Sequence, residues 1–261
     1  MRKVDLNADM GESWGAWKMG HDAEMFEVIT SANVACGFHG GDPLVMHETL
    51  RLAREKGVGV GAHPGYLDLW GFGRRRFEGD DPIEIEKLLI YQVGALQGMA
   101  KAVGVPVTHF KAHGALANLT AVDADMADAT ARAVLATDPD MIFVALPGTE
   151  QERAAARAGL RIAREAYADR AYAADGTLAP RKTPGAVLDD PETAARRAVR
   201  MATEGRVATI DGREIALEFD TICVHGDNLH AVEMARAVRG ALTEAGVAIR
   251  PMAETAEQGA G

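Results

Sequence analysis

Cysteine is scarce: Cys36 and Cys223 are the only two in 261 residues, which leaves no disulfide framework of the kind that stabilises small secreted folds. The N-terminus lacks the basic start, apolar run and small-residue cleavage site of a leader. A reduced, cytoplasmic protein is the expectation. Long hydrophobic runs are missing too, because Asp, Glu, Arg or Gly interrupts every apolar stretch well short of the roughly 18 residues that span a bilayer, so no membrane anchoring is expected. Positive charge is in deficit, with 28 basic side chains against 38 acidic ones and a formal net charge of −10. That balance argues against broad binding to a phosphate backbone, and so against nucleic acid as a partner, while leaving room for a local basic pocket. Several catalytic signatures are also absent. There is no HExxH or paired-Cys pattern for a tight structural zinc site, no GxSxG elbow, no Walker P-loop and no GxGxxG, since GVGVG at 57–61 has the wrong spacing. Any nucleotide needs a different kind of site, and a weaker divalent-ion site stays open.

What is present is an alternation. Strand-like pieces at 3–8, 29–35, 58–62, 107–112, 141–146, 160–166, 221–225 and 247–250 are separated by helix-like pieces, which favours a parallel sheet in one domain. Asp42 and Pro43 predict a helix over 43–56 closed by Gly57. Ile85, Leu88, Leu89, Val93, Leu96, Met99 and Val103 recur at three- and four-residue spacing and predict a second over 82–103. Further helices are expected over 123–137, 149–158, 191–204 and 229–245. Residues 206–219 read instead as a hairpin insertion turning in two residues at Asp211 and Gly212, and 167–188 as an excursion over one face of the sheet, able to cover a site.

Polar residues gather where the strands end. Val4, Leu6 and Ala8 alternate with Asp5, Asn7 and Asp9, so the first strand turns three polar side chains to one face. Buried carboxylates require a metal, a cation or a polar ligand. The pair is available for a metal or for proton transfer; loop capping or pairing with an arginine is the structural alternative. Glu12, past Gly11, is expected to be more mobile. His39 follows the second strand, His63 the third, Lys111 and His113 the fourth, and His225 and Asp227 the seventh. Strand ends of parallel α/β folds open onto a shared crevice, so these residues are expected to converge. Lys111 stands out, because an ammonium in the apolar stretch VTHFKAHGAL is costly unless it faces negative charge. His21, His47, His109 and His230 read as structural, His109 because it is taken to have the opposite strand parity to Lys111 and His113. Cys36 reads as a small buried thiol. Tyr66, Trp70 and Phe72 in GAHPGYLDLWGFGRR suggest a lid or partner surface, or else pack back on the body of the fold. Arg74, Arg75 and Arg76 offer paired hydrogen bonds to a carboxylate or phosphate, or form a solvated basic run.

Taken in order, DLNADMGE, ANVACGFHGGDP, GAHPGYLDLWGFGRR, FKAHGALAN, EAYADRAY and CVHGDN closely resemble the LamB/YcsF family, from residue 3 to about residue 252. The resemblance implies an α/β fold, a distorted (β/α) barrel of seven strands similar to the glycoside hydrolase and deacetylase superfamily, over residues 1–252; outside it, the small, polar run ETAEQGAG makes 253–261 an expected disordered tail. It also implies ATP-dependent hydrolysis of 5-oxo-L-proline (pyroglutamate) to L-glutamate, with Mg²⁺ accompanying ATP, in a complex with two further subunits, B and C. On that footing Lys111, with Arg74 or Arg181, is expected to neutralise phosphate or the substrate carboxylate. Asp9 or Asp5 activates water or binds Mg²⁺, and His39, His63 and His113 orient substrate or exchange protons. Two alternatives come with it. One is a metal-dependent deacetylase of a sugar or acylated amine, its metal on Asp9, His39 and His63; the other is a non-catalytic scaffold for partner subunits.

Overall fold

The computed structural model describes residues 2–77, 79–180, 182–226 and 229–256. Along them run β1 (Lys3–Met10), α1 (Asp22–Met25), β2 (Ser31–Ala35), α2 (Pro43–Lys56), β3 (Gly59–His63), α3 (Pro82–Val103), β4 (Val107–Phe110), α4 (Gly114–Thr120), α5 (Ala124–Thr137), β5 (Ile142–Ala145), α6 (Glu150–Arg157), β6 (Ile162–Tyr167), α7 (Pro191–Glu204), β7 (Arg206–Ala208), β8 (Glu214–Ala216), β9 (Thr221–Cys223), α8 (Leu229–Glu244), β10 (Ala248–Ile249) and α9 (Met252–Thr255).

Local chemistry explains the long helices. Asp42 accepts the Leu44 and Val45 N–H groups at the start of α2, Pro43 occupies its first turn, and Gly57 ends it at a φ of 66°. Asp81, Pro82 and Gly104 repeat the device for α3, and Asp190, Pro191 and Gly205 for α7. Each helix returns the chain to the same end of the sheet, so every neighbouring strand pair in the ring is parallel. β1 pairs with β2 on one side and with β9 on the other, closing seven strands into the expected barrel in the order β1-β2-β3-β4-β5-β6-β9. β10 lies outside the ring, alongside Lys3 and Val4.

Both faces of β1 are buried, for different reasons. Val4, Leu6 and Ala8 belong to the main apolar core, whereas Asp5, Asn7 and Asp9 meet side chains of β2 and β9 and Lys111 just past β4 within the ring. Barrel interiors of this kind are ordinarily filled by branched aliphatic side chains, so the polar row marks where this barrel departs from simple packing.

Three expectations need correcting. Thr209 and Arg213 pair across the hairpin, so the β7–β8 turn holds Ile210, Asp211 and Gly212, with Gly212 at a φ of 82°; a bulged three-residue loop replaces the two-residue turn. Chain expected to be tail after residue 252 is helical in part, because Met252 is buried and anchors α9 against the barrel, while 257–261 lie outside the described residues. Finally, α4 starts immediately after His113, where no helix was expected.

Candidate active site

β1 delivers its polar row at successive depths. At the bottom, Asp5 is fully buried and accepts hydrogen bonds from the hydroxyls of Thr30 (2.8 Å), Ser31 (2.6 Å) and Thr221 (2.6 Å). Burial outweighs those bonds and pushes its carboxyl up to about 6. One step higher, Asn7 accepts from Asn33 at 2.8 Å and donates to Thr221 at 2.7 Å. His109 lies in this interior as well, its Nε2 3.1 Å from Asn33 Oδ1, and burial drives it down to about 3. Positions 109, 111 and 113 share parity, so the expectation that His109 faces the other way was mistaken. Gly61 pairs with His109 across β3 and β4, and a Cβ there would sit 2.1 Å from the imidazole ring; the ring fits because position 61 has no side chain.

At the top of the row, Asp9 marks the change from neutral partners to charged ones. Lys111 Nζ lies 3.1 Å from Asp9 Oδ1 and 2.7 Å from Glu165 Oε1, and donates to Asn7 at 3.3 Å and to Cys223 Sγ at 3.4 Å. Glu165 also accepts from the Tyr167 hydroxyl at 2.7 Å. Burial alone would favour a neutral Lys111 and a neutral Asp9. For Lys111 the negative neighbours, Asp9 foremost, reverse this and hold the ammonium well above its ordinary value; for Asp9, the neighbouring His63 and the Lys111 ammonium hold the carboxyl well below its own.

Beside this pair stands a histidine cluster. His63 Nε2 is 3.2 Å from Asp9 Oδ2 and 3.0 Å from His113 Nδ1. His39 stacks on His113 with centroids 3.6 Å apart and planes 2° from parallel, and its Nε2 reaches Glu12 Oε1 at 3.2 Å. Burial pushes His39 well below its ordinary value and His113 to about 3, so both rings are neutral. Phe72, held at the unusual φ of 54°, sets its ring edge-on to His39 and His113. Among the described residues, one ligand atom from each of Glu12, His39, His63 and His113 lies within 4.8 Å of the others, a grouping able to hold a metal ion. Asp9, Lys111, Glu165 and the His63–His113 edge open onto a cavity of about 290 Å³, with Arg74 and Arg170 also on its wall.

A family model described as LamB/YcsF matches residues 4–257. The chain belongs to the LamB/YcsF family. Among its relatives, a protein of Rhodopseudomonas palustris named as the A subunit of 5-oxoprolinase is 51% identical over 253 residues, covering 97% of this chain and 100% of that one. A crystal structure described as the lactam utilization protein of Thermus thermophilus superposes with a TM-score of 0.92 at 52% identity, covering 95% of this chain and 99% of that one. Outside these relatives, a structure described as a T48 deacetylase with substrate shares the fold at a TM-score of 0.50 and 14% identity, over 97% of this chain and 90% of that one.

Within the LamB/YcsF barrel, Asp9, His39, His63, Lys111 and His113 come together as the sequence suggested, and Arg74 lines the same cavity with its guanidinium over the Phe72 ring. Asp5 does not line it, being sealed in the layer below. Arg181 lies outside the described residues, as does Asp227. Of the suggested metal set, His39 and His63 belong to the four-residue group; Asp9 adjoins it but is engaged by Lys111 and Asn33. Glu12, expected to be mobile, has only 13% of its side chain exposed and is held by His39. Glu165, Tyr167 and Cys223 were missed as Lys111 partners. The signal for Glu165 was there, a carboxylate in the strand IAREAY, facing the barrel interior. The aromatic loop divides: Tyr66 is buried and donates to Asp80 at 2.5 Å, Phe72 packs on the imidazoles, and Trp70 remains 86% exposed beside Trp17. Arg75 is taken up by Asp68. Cys36 donates to the Val34 carbonyl and burial raises its thiol to about 12, which suits packing rather than attack.

Proposed function

We propose that this chain supplies the substrate-binding and ring-opening site of an ATP-dependent 5-oxoprolinase, which hydrolyses 5-oxo-L-proline to L-glutamate together with subunits B and C. The observation carrying this reading is Lys111, a buried ammonium between two carboxylates at the edge of an accessible cavity, in a chain whose relatives are named as the A subunit of 5-oxoprolinase. A five-membered lactam is a poor electrophile and its opening is unfavourable. Transfer of the terminal phosphoryl group from Mg²⁺-bound ATP to the amide oxygen, with ADP leaving, makes the ring carbon open to water and supplies the driving force. Water adds to that carbon and loses a proton, the C–N bond breaks as the ring nitrogen gains one, and a second water hydrolyses the resulting acyl phosphate to phosphate and L-glutamate. The amide oxygen gains negative charge as it attacks the phosphoryl group and carries the phosphate away, and a fixed ammonium in a water-poor site stabilises that charge most.

In this scheme Lys111 faces that oxygen, and Asp9 and Glu165 keep it protonated. Arg74 at the wall receives the substrate carboxylate or the phosphate; the family resemblance gives Arg181 the same task. Asp9 orients the attacking water, and His63 and His113 pass protons between the ring nitrogen and the cavity. Two buried free thiols, Cys36 and Cys223, accord with work in the reducing cytoplasm.

The test incubates the chain alone, and then with subunits B and C, with 5-oxoproline and ATP, measuring glutamate and ADP together. Glutamate is expected only in the mixture and only with ATP. Equal activity from the chain alone would refute the dependence on partners, and release of an acyl group without ATP would put a deacetylase in its place. Full activity from a mixture carrying Lys111→Ala would reduce the chain to a scaffold.

A further inference from the structure

Two ring nitrogens, His63 Nε2 and His113 Nδ1, converge at the mouth of the barrel. His63 Nδ1 lies 2.8 Å from the Lys111 carbonyl oxygen, and His113 Nε2 lies 2.8 Å from the Phe72 carbonyl oxygen. A carbonyl oxygen only accepts, so each of these nitrogens carries its ring's hydrogen. In neutral rings the remaining nitrogens, His63 Nε2 and His113 Nδ1, are then bare acceptors, and they stand 3.0 Å apart. Carboxylate oxygens close in on the same point, with Glu12 Oε1 3.6 Å from His113 Nδ1 and Asp9 Oδ2 3.2 Å from His63 Nε2. Lys111 already serves Asp9.

We infer that His63 Nε2, His113 Nδ1 and Glu12 Oε1 bind a divalent transition-metal ion of the zinc class. Ligands bound at about 2.0–2.1 Å to a tetrahedral ion are roughly 3.3 Å apart, and the separations here of 3.0 Å between the nitrogens and 3.6 Å from carboxylate to imidazole bracket that value. Both imidazoles have the outer support that metal-bound histidines require, a backbone carbonyl on the far nitrogen that fixes tautomer and ring angle. Two nitrogens with one carboxylate suit zinc, iron, cobalt or nickel better than magnesium or calcium, which prefer oxygen.

His39 is a positioning residue rather than a ligand. Its Nδ1 is buried with no hydrogen-bond partner, so ligation through Nε2 would strand a buried N–H there. With the hydrogen on Nε2 instead, His39 donates to Glu12 at 3.2 Å and only a lone pair is left unpaired. The trio therefore differs from the Asp9, His39 and His63 set suggested by the sequence, and it leaves Asp9 free to pair with Lys111.

Ion binding is measured without substrate, so it succeeds or fails apart from the 5-oxoprolinase reading. The full-length chain, stripped with chelator, is titrated with Co²⁺ by calorimetry and visible absorption. One ion per chain is expected, with the spectrum of nitrogen-bound cobalt and displacement by Zn²⁺. Loss of a ligand in His63→Gln or His113→Gln should weaken binding at least about 100-fold, and His39→Gln about 10-fold at unchanged stoichiometry, as for ligand and supporting residues generally. Should the ligand variants not fold, ¹⁵N-histidine NMR of the wild type takes their place. Zn²⁺ must then shift His63 Nε2 and His113 Nδ1 while the opposite nitrogens stay protonated. Absence of saturable Co²⁺ binding, binding that survives both ligand substitutions, or an imidazolium at His63 in the presence of Zn²⁺ would overturn the assignment.

Discussion

Asp5 and Asp9 sit four residues apart on one strand, face the same interior, and meet opposite electrostatic surroundings. Around Asp5 there are only hydroxyls, from Thr30, Ser31 and Thr221, and burial prevails over them. Around Asp9 there are an ammonium and an imidazole, and charge prevails over burial. The lower layer surrounds one carboxyl with hydroxyl partners and no counter-charge, whereas the upper layer sets carboxylates, an ammonium and imidazoles together beside a cavity. Polarity inside the barrel is thus not by itself the mark of the site; what marks it is paired charge brought to the wall of an accessible cavity.

The sharpest way to break this contrast is to remove the upper cation. Lys111→Met leaves Asp9 and Glu165 buried without their counter-charge, and loss of one partner from a buried pair costs about 3–5 kcal/mol. Urea unfolding should show that loss, and glutamate formation by the assembled enzyme should fall at least roughly 100-fold. Wild-type stability together with wild-type turnover would dissolve the distinction between the layers.

Asp5→Asn tests the lower layer, and through pH. The Asp5 carboxyl titrates at about 6 in the fold against an ordinary value of 3.8. Its folded pKa is raised, so the folded state holds the proton more tightly than the unfolded chain. The protonated group's stability is full below about pH 4 and is lost as pH rises through 6. A shift of that size corresponds to about 3 kcal/mol. Asn carries no such penalty, so the stability of Asp5→Asn relative to wild type should climb between pH 4 and pH 7 by up to this amount, while an Asp9→Asn series should show no such climb. Denaturation midpoints at four pH values decide it, and a flat difference for Asp5→Asn would contradict its assignment as a buried acid.

The smallest effect expected is steric. Gly61→Ala drives a methyl into His109, and overpacking of this kind costs about 1–3 kcal/mol. Because His109 belongs to the lower layer, thermal unfolding should register the change, while the KM for 5-oxoproline in the assembled enzyme should move less than about twofold. A large KM change with no loss of stability would tie the two layers together functionally.

Much of this architecture was legible because independent signals coincided. Asp42, Pro43 and Gly57 bracket α2 just where its apolar spacing begins and ends, and Asp81, Pro82 and Gly104 do so for α3. The strand ends announced Asp9, His63, Lys111 and His113 because polar residues recur there beside glycine. Depth was not legible: alternation assigns Asp5 and Asp9 to one face, but which of them reaches the cavity depends on the neighbours that β2, β4 and β9 supply. Nor was the return of Glu12, since it follows from Gly11 at a φ of 69° and from the close passage of Glu12 over Gly40, where a Cβ would meet the Glu12 carbonyl at 2.8 Å. Glu165 escaped notice because a lone carboxylate in a strand gains its meaning only from Lys111, far earlier in the chain.

The seam between β1 and β9 has a consequence for biosynthesis. Asp5 and Thr221 are 216 positions apart in the chain and yet joined by a 2.6 Å hydrogen bond, so β1 waits for β9 to be synthesised before the ring can shut. Until Cys223 has emerged from the exit tunnel, β1 offers an open edge along Asp5, Leu6 and Asn7, and Lys111 lacks one of its neighbours. Such distant closure is slow and exposes unpaired strand to unwanted association. A truncated nascent chain of this protein should therefore call on chaperones up to its final stretch and acquire its chemistry only on release.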